Sequence, residues 1–179
     1  MTVQIEEMPQ RRAIDRLTLA TGLVLLGAVA TIAGAWGFEL IGHYIPCALC
    51  LKERIPYYIA IPVAVLAFAF SFNERTQGIS RFLLLVLAGL FAWSVYQGVF
   101  HAGIEYQWWT PQLDCGVGAV GGRGDLLNQL QTVHIPRCDT AAWRFPAEWG
   151  LSFAGWNAVI STGLVLVALA GVFSRRRSA

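Results

Sequence analysis

The chain has 179 residues, 56% of them hydrophobic and only 13% charged, with a formal net charge of +2 at pH 7. Its mean hydropathy is positive and its apolar residues come in long blocks, which excludes an ordinary soluble domain and marks a membrane protein. The basic residues flank those blocks, and no basic stretch interleaved with aromatics argues for nucleic acid, so that class is set aside.

Crossing about 30 Å of hydrocarbon takes roughly 20 mainly apolar residues, and four segments meet or approach that length. The first is Leu17 to Trp36. Arg11 and Arg12 before it and Ala33, Gly34 and Ala35 near its end resemble a signal peptide with a small-residue cleavage site. The run is longer than the ~7 to 15 residues of an ordinary signal core, so a retained span is expected. The second block, Ile55 to Phe72, is short and carries Pro56 and Pro62. Its helix is expected to begin near Pro46, giving a span of about 47–72 with a kink at the prolines. Phe82 to Phe100 and Gly155 to Phe173 are the third and fourth spans. The expected fold is all-α: a single membrane domain over 1–179, a four-transmembrane-helix bundle with outer loops at about 37–54 and 101–154.

Lys and Arg near span ends favour the cytoplasmic side. Arg11, Arg12 and Arg16 precede the first span, Arg75 and Arg81 bracket the connection between the second and third, and Arg175, Arg176 and Arg177 follow the fourth. Both termini are therefore expected in the cytoplasm and both cysteine-bearing loops outside. That assignment uses no cysteine, yet it delivers Cys47, Cys50, Cys115 and Cys138 to an oxidising compartment, where disulfides persist.

The first outer loop carries Cys47-x-x-Cys50 with Arg54 four residues on. In a helix starting near Pro46 these three fall at i, i+3 and i+7 on one face, Lys52 pointing elsewhere. First-turn N–H groups and the helix dipole favour a thiolate, and Arg54 adds positive charge nearby, which suits a redox pair. The other readings are an arginine snorkelling to headgroups, a local structural disulfide, or half of a zinc site. The remaining cysteines, 22 residues apart, do not complete the paired short spacings of a zinc ribbon, so no metal is expected.

The second outer loop is about 50 residues long, and loops of that length are usually functional or disordered. Its glycines, Gly116 to Gly124, follow no strand and do not form a phosphate-cradling motif. Leu126, Leu127, Leu130 and Val133 recur at helical spacing with Asp125 as a cap, which predicts a short amphipathic helix lying on the membrane or packing on the bundle end. Trp108, Trp109, Trp143, Trp149 and Trp156 gather here as interfacial anchors, and such rings could also hold a flat cofactor. His101, at the outer end of the third span, is within reach of a ligand at the depth of Arg54, and is equally readable as an interfacial histidine without chemistry. Four cysteines allow three pairings, and spacing does not choose among them. Two pairs in two loops suit a relay through mixed disulfides, ending on a lipid-soluble acceptor.

These residues resemble the disulfide bond formation protein B (DsbB) family of bacterial inner-membrane thiol oxidases. Pro46, Cys47, Ala48, Leu49, Cys50, Leu51, Lys52, Glu53 and Arg54 match its Pro-Cys-x-x-Cys segment followed by Glu-Arg, and Cys115, Cys138 and the Trp143, Arg144, Phe145 stretch also fit. The resemblance runs from about Leu17 to Phe173, with Pro146 to Gly150 longer than expected. It implies a thiol:quinone oxidoreductase that reoxidises a periplasmic DsbA-type dithiol oxidase and reduces a membrane quinone, ubiquinone or menaquinone. Cys115 would take the partner's attack, Cys138 would exchange with Cys47, Cys50 would meet the quinone, and Arg54 and His101 would be cofactor-binding. Recharging a DsbA-type partner from a typical structural disulfide would mean overcoming about 180 mV, roughly 8 kcal/mol for two electrons, so the pairs must be unusually oxidising or coupled to quinone reduction. The alternatives are a membrane reductase running electrons outward and a four-span scaffold with structural disulfides. Cys-x-x-Cys in the first loop and the lack of a Cys-Cys-Gly run disfavour the scaffold.

Overall fold

A computed structural model of the chain describes residues 15–109, 137–146 and 150–174. Four helices account for most of them: α1 Arg16–Leu40, α2 Ala48–Ser71, α3 Gln77–Glu105 and α4 Phe153–Val172. All four are long and apolar enough to cross a membrane. A helix satisfies its own backbone N–H and C=O groups, which hydrocarbon cannot do, so apolar blocks of this length fold as helices.

The bundle is a ring in which α2 packs on α1 and α3, and α4 packs on α3 and α1, with α1 and α3 diagonally opposed. Its core holds Leu17, Val24 and Ala28 of α1, Tyr57, Ala60, Ala64 and Ala67 of α2, Leu84, Leu87 and Phe91 of α3, and Leu164 and Ala168 of α4. The α2 alanines fall at i, i+4 and i+7, a small-residue stripe that lets neighbouring helices approach closely. Leucines 19, 23, 26, 66, 85 and 166 are exposed on the outside of the ring, as a lipid-facing surface requires.

Several boundaries differ from the sequence expectation. At ~1.5 Å per residue, the 25 residues of α1 and 29 of α3 are about 37 and 43 Å long, more than the about 30 Å of hydrocarbon. Residues 37–40, 101–105 and 153–154, expected in outer loops, are helical; residues 48–54 are helical as the expected start near Pro46 requires, and α1 and α2 are joined by only the segment 41–47. Pro46 is not the first helical residue. Cys47 is the N-cap, and α2 runs unbroken through Pro56 and Pro62. His43, at φ 57°, turns the chain out of α1, and Gln107, at φ 59°, turns it out of α3. A two-residue antiparallel pair not foreseen from the sequence, β1 Arg144–Phe145 and β2 Leu151–Ser152, leads into α4. Ser152 caps that helix by accepting from the Gly155 N–H at 3.2 Å. Cys115, Asp125, the expected amphipathic helix over Leu126 to Val133, and Trp149 lie outside the described residues.

Candidate functional site

The site is built at the start of α2. As N-cap, Cys47 turns its sulfur onto the first helical turn, where Sγ accepts from the Cys50 N–H at 3.3 Å. The i, i+3 spacing brings the two sulfurs to 2.9 Å. Cys47 is buried and Cys50 partly so. The hydrogen bond with Cys50, and then burial, push the Cys47 thiol up from 9.0 to about 12, against the opposing pull of His101.

His101 is buried within the bundle. It is 2% exposed, with Nε2 3.7 Å from Cys47 Sγ and Nδ1 2.7 Å from Glu53 Oε1. A carboxylate only accepts, so that bond places the imidazole proton on Nδ1 and leaves Nε2 facing the sulfur. Glu53, one turn into α2 and buried, also accepts from Asn157 Nδ2 of α4 at 2.9 Å. The Tyr57 hydroxyl donates to Asn157 Oδ1 at 2.8 Å and lies 2.7 Å from Ser161 Oγ, which donates to Ser94 Oγ at 3.0 Å. A continuous polar chain thus runs from the thiol pair into the bundle through α2, α3 and α4. An ionisable group inside a membrane bundle marks function by default, and Glu53, His101 and Glu105 all stand at this end.

Arg54 faces α1 rather than the sulfurs. Its guanidinium donates to Glu39 Oε2 at 2.5 Å and lies 5.8 Å from the Trp36 ring centroid. It still shares a wall with the thiols: a cavity of about 350 Å³ between α1, α2, α4 and the segment before β1 is lined by Cys47, Cys50, Arg54, Glu39 and Glu53. Of its aromatic lining, Phe38, Tyr44, Trp143 and Phe153 form one interlocking group, with Phe38 and Trp143 each 4.8 Å from Phe153 between ring centroids, and Trp156 lines the same cavity. Trp143 and Trp156 thus line the cavity, whereas Trp108 is exposed. His101 does not line the cavity; it stands behind Cys47.

Cys138 is buried at 2% exposure, and its neighbours Arg137 and Thr140 line the same cavity as Cys47 and Cys50. Arg137 holds Asp139 by two hydrogen bonds, 3.0 and 2.7 Å, and keeps its carboxyl below the usual range. The structure thus brings Cys47, Cys50, Arg54, His101 and the Cys138 segment to one end of the bundle. Sequence spacing did not single out Glu39, Asn157 or Glu105, nor assign Glu53 a role. The available signal was an ionisable or amide side chain inside or at the end of an apolar span.

The family model described as disulfide bond formation protein DsbB matches residues 17–171. The chain is 32% identical over 161 residues to disulfide bond formation protein B of Marinobacter nauticus, covering 83% of this chain and 87% of that protein. No solved structure matches.

Proposed function

The chain belongs to the DsbB family of membrane redox enzymes of disulfide bond formation, and from that premise we propose that it reoxidises a periplasmic DsbA-type dithiol oxidase and passes the electrons to a membrane quinone. The observation that carries this reading is the thiol pair set into the wall of an aromatic-lined cavity beside a guanidinium. The balance is two electrons and two protons from the partner's dithiol, leaving the partner with a disulfide and the quinone as quinol.

The lining fits a quinone ring. About 350 Å³ lies within the roughly 300–1,000 Å³ of small-molecule sites, flat rings can stack on Phe38, Trp143 and Phe153, and Arg54 offers N–H donors to a carbonyl oxygen. When bound there, quinone supplies the two-electron acceptor. Arg54, held by Glu39, presents a fixed positive charge where negative charge develops.

In this reading Cys115 forms the mixed disulfide with the partner. The partner's second sulfur then releases its own disulfide, leaving Cys115 and Cys138 as thiols. Cys138 attacks the Cys47–Cys50 disulfide at Cys47, freeing Cys50 beside the cavity, and Cys115 displaces Cys47 to restore its bond with Cys138. His101 Nε2 stands where it can take the proton that Cys47 carries when reduced, with Glu53 stabilising the imidazolium through Nδ1. The whole chain is read as one inner-membrane domain, with termini in the cytoplasm and the cysteine end in the periplasm.

The test is purified protein in detergent with a reduced DsbA-type protein and quinone, following quinone absorbance and partner thiols together. Loss of both signals in step, absent with Cys47→Ser or Cys115→Ser, is expected. Folded protein that oxidises no partner with either ubiquinone or menaquinone would overturn the reading.

A further inference from the structure

We propose that the reduced Cys47 and Cys50 thiols and His101 form a site for a soft divalent transition metal of the zinc type, occupied only when the pair is reduced, with Glu105 turning in beside His101 as the fourth ligand. The proposal goes beyond the electron relay and stands on side-chain geometry alone.

Cys47 Sγ, Cys50 Sγ and His101 Nε2 lie within 4.8 Å of one another. Around tetrahedral zinc, bond lengths of roughly 2.3 Å to sulfur and 2.0 Å to nitrogen place ligand atoms roughly 3.5 to 3.8 Å apart. The separation of Cys47 Sγ from His101 Nε2, 3.7 Å, already has that value. The two sulfurs, at 2.9 Å, need only part slightly, a small rotation of the half-buried Cys50 side chain.

Two further features point to a cation. Glu53 accepts a hydrogen bond from His101 Nδ1–H at 2.7 Å and so turns Nε2 toward the sulfurs, the carboxylate–histidine support that metal-bound imidazoles characteristically have. Glu105 follows His101 by one helical turn, with Oε1 3.9 Å from Nε2 and a side chain 6% exposed. Its Oε2 is buried and makes no hydrogen bond of good geometry among the described residues, with the Ser152 side chain beside the carboxylate. A buried carboxylate oxygen in that state is unfavourable, and a metal ion beside it supplies the missing partner.

The site was hidden from sequence spacing because it does not use a second cysteine pair. Its second half is a histidine and a glutamate one turn apart on α3, about 50 residues away. Binding converts two thiols and a metal ion into a metal dithiolate and two released protons, with no change of oxidation state. The disulfide form lacks both thiolates, so metal and disulfide exclude each other. A bound metal withholds the pair from exchange.

The experiment uses full-length protein in detergent carrying Cys115→Ser and Cys138→Ser, so that one thiol pair remains, stripped with chelator and reduced without oxygen. Cobalt(II) is titrated in, and thiolate-to-cobalt and ligand-field absorption are read. The proposal expects one equivalent of tetrahedral cobalt, displaced by zinc, absent after oxidation to the disulfide, and weakened at least about tenfold by His101→Ala and by Glu105→Gln. Thermal melting without metal shows that each variant is folded. No cobalt bands, or bands indifferent to both substitutions, would overturn it. Metal-free wild-type protein is assayed for quinone reduction in parallel. Turnover without cobalt bands removes the metal site alone, and bands without turnover support the site while removing the relay.

Discussion

Cys47 carries two opposed influences. An N-cap position ordinarily favours a thiolate, yet the bond to Cys50 and burial push this thiol up to about 12. Because that value lies above the ordinary 9.0, the contribution of the protonated thiol to folding is complete below pH 9 and is lost as pH rises through about 12. In the reduced protein the proton therefore stays on Cys47 across the neutral range, and a neighbouring base must take it during turnover. Cys50→Ala removes the largest cause, so alkylation of Cys47, followed by mass spectrometry against pH, should rise at clearly lower pH than in the reduced wild type. Superimposed profiles would contradict this account. His101 with Glu53 is the nearest base arrangement, and Glu53→Gln weakens its support of an imidazolium. Quinone reduction should slow by roughly 10²-fold with little change in melting temperature. A rate within about twofold of wild type would remove Glu53 from the proton step.

At the scale of elements, the site depends on how closely α3 approaches α4, since His101 and Asn157 must meet Glu53 from opposite sides. Gly98 sets that approach. A Cβ there would lie 2.9 Å from both Ala154 O and Ala158 N, which are backbone atoms and cannot rotate away. Gly98→Val should lower stability in detergent by roughly 1–3 kcal/mol and lower turnover with it. Gly163→Ala, where a Cβ meets nothing within 4 Å, should be neutral or stabilising by roughly 0.5–1 kcal/mol, as thermal melting can show. Equal losses in both variants would mean that the close approach does not matter. The four spans were legible because apolar block length is a one-dimensional property. Helix ends were less so: α1 and α3 continue through Gly37 to Leu40 and His101 to Glu105, which read as loop by hydropathy. Cys47 and Cys50 were legible from their spacing. The link from Glu53 to His101 spans 48 residues and that from Glu53 to Asn157 spans 104, and such links depend on helix rotation, which no spacing rule contains.

For the whole molecule, the ring of four helices gathers every described cysteine at one end and leaves the short connection between α2 and α3 at the other. Arg75 lies in that connection and Arg81 in the first turns of α3, so the basic-residue rule predicts that the connection faces the cytoplasm. In a cysteine-free background, Asn73→Cys should react with a membrane-impermeant maleimide only from the cytoplasmic side, and His43→Cys only from the periplasmic side. Labelling with the sides exchanged would invert the orientation and remove the periplasmic partner. The central claim is that electrons entering at the outer cysteine pair leave as quinol through the Cys47–Cys50 pair. The most direct measurement is a single-turnover reaction without oxygen, counting partner disulfides formed against quinone consumed. One quinone per disulfide, with neither signal in Cys47→Ser, is the predicted result. Partner oxidation without quinone loss, or quinone loss that survives Cys47→Ser, would contradict it.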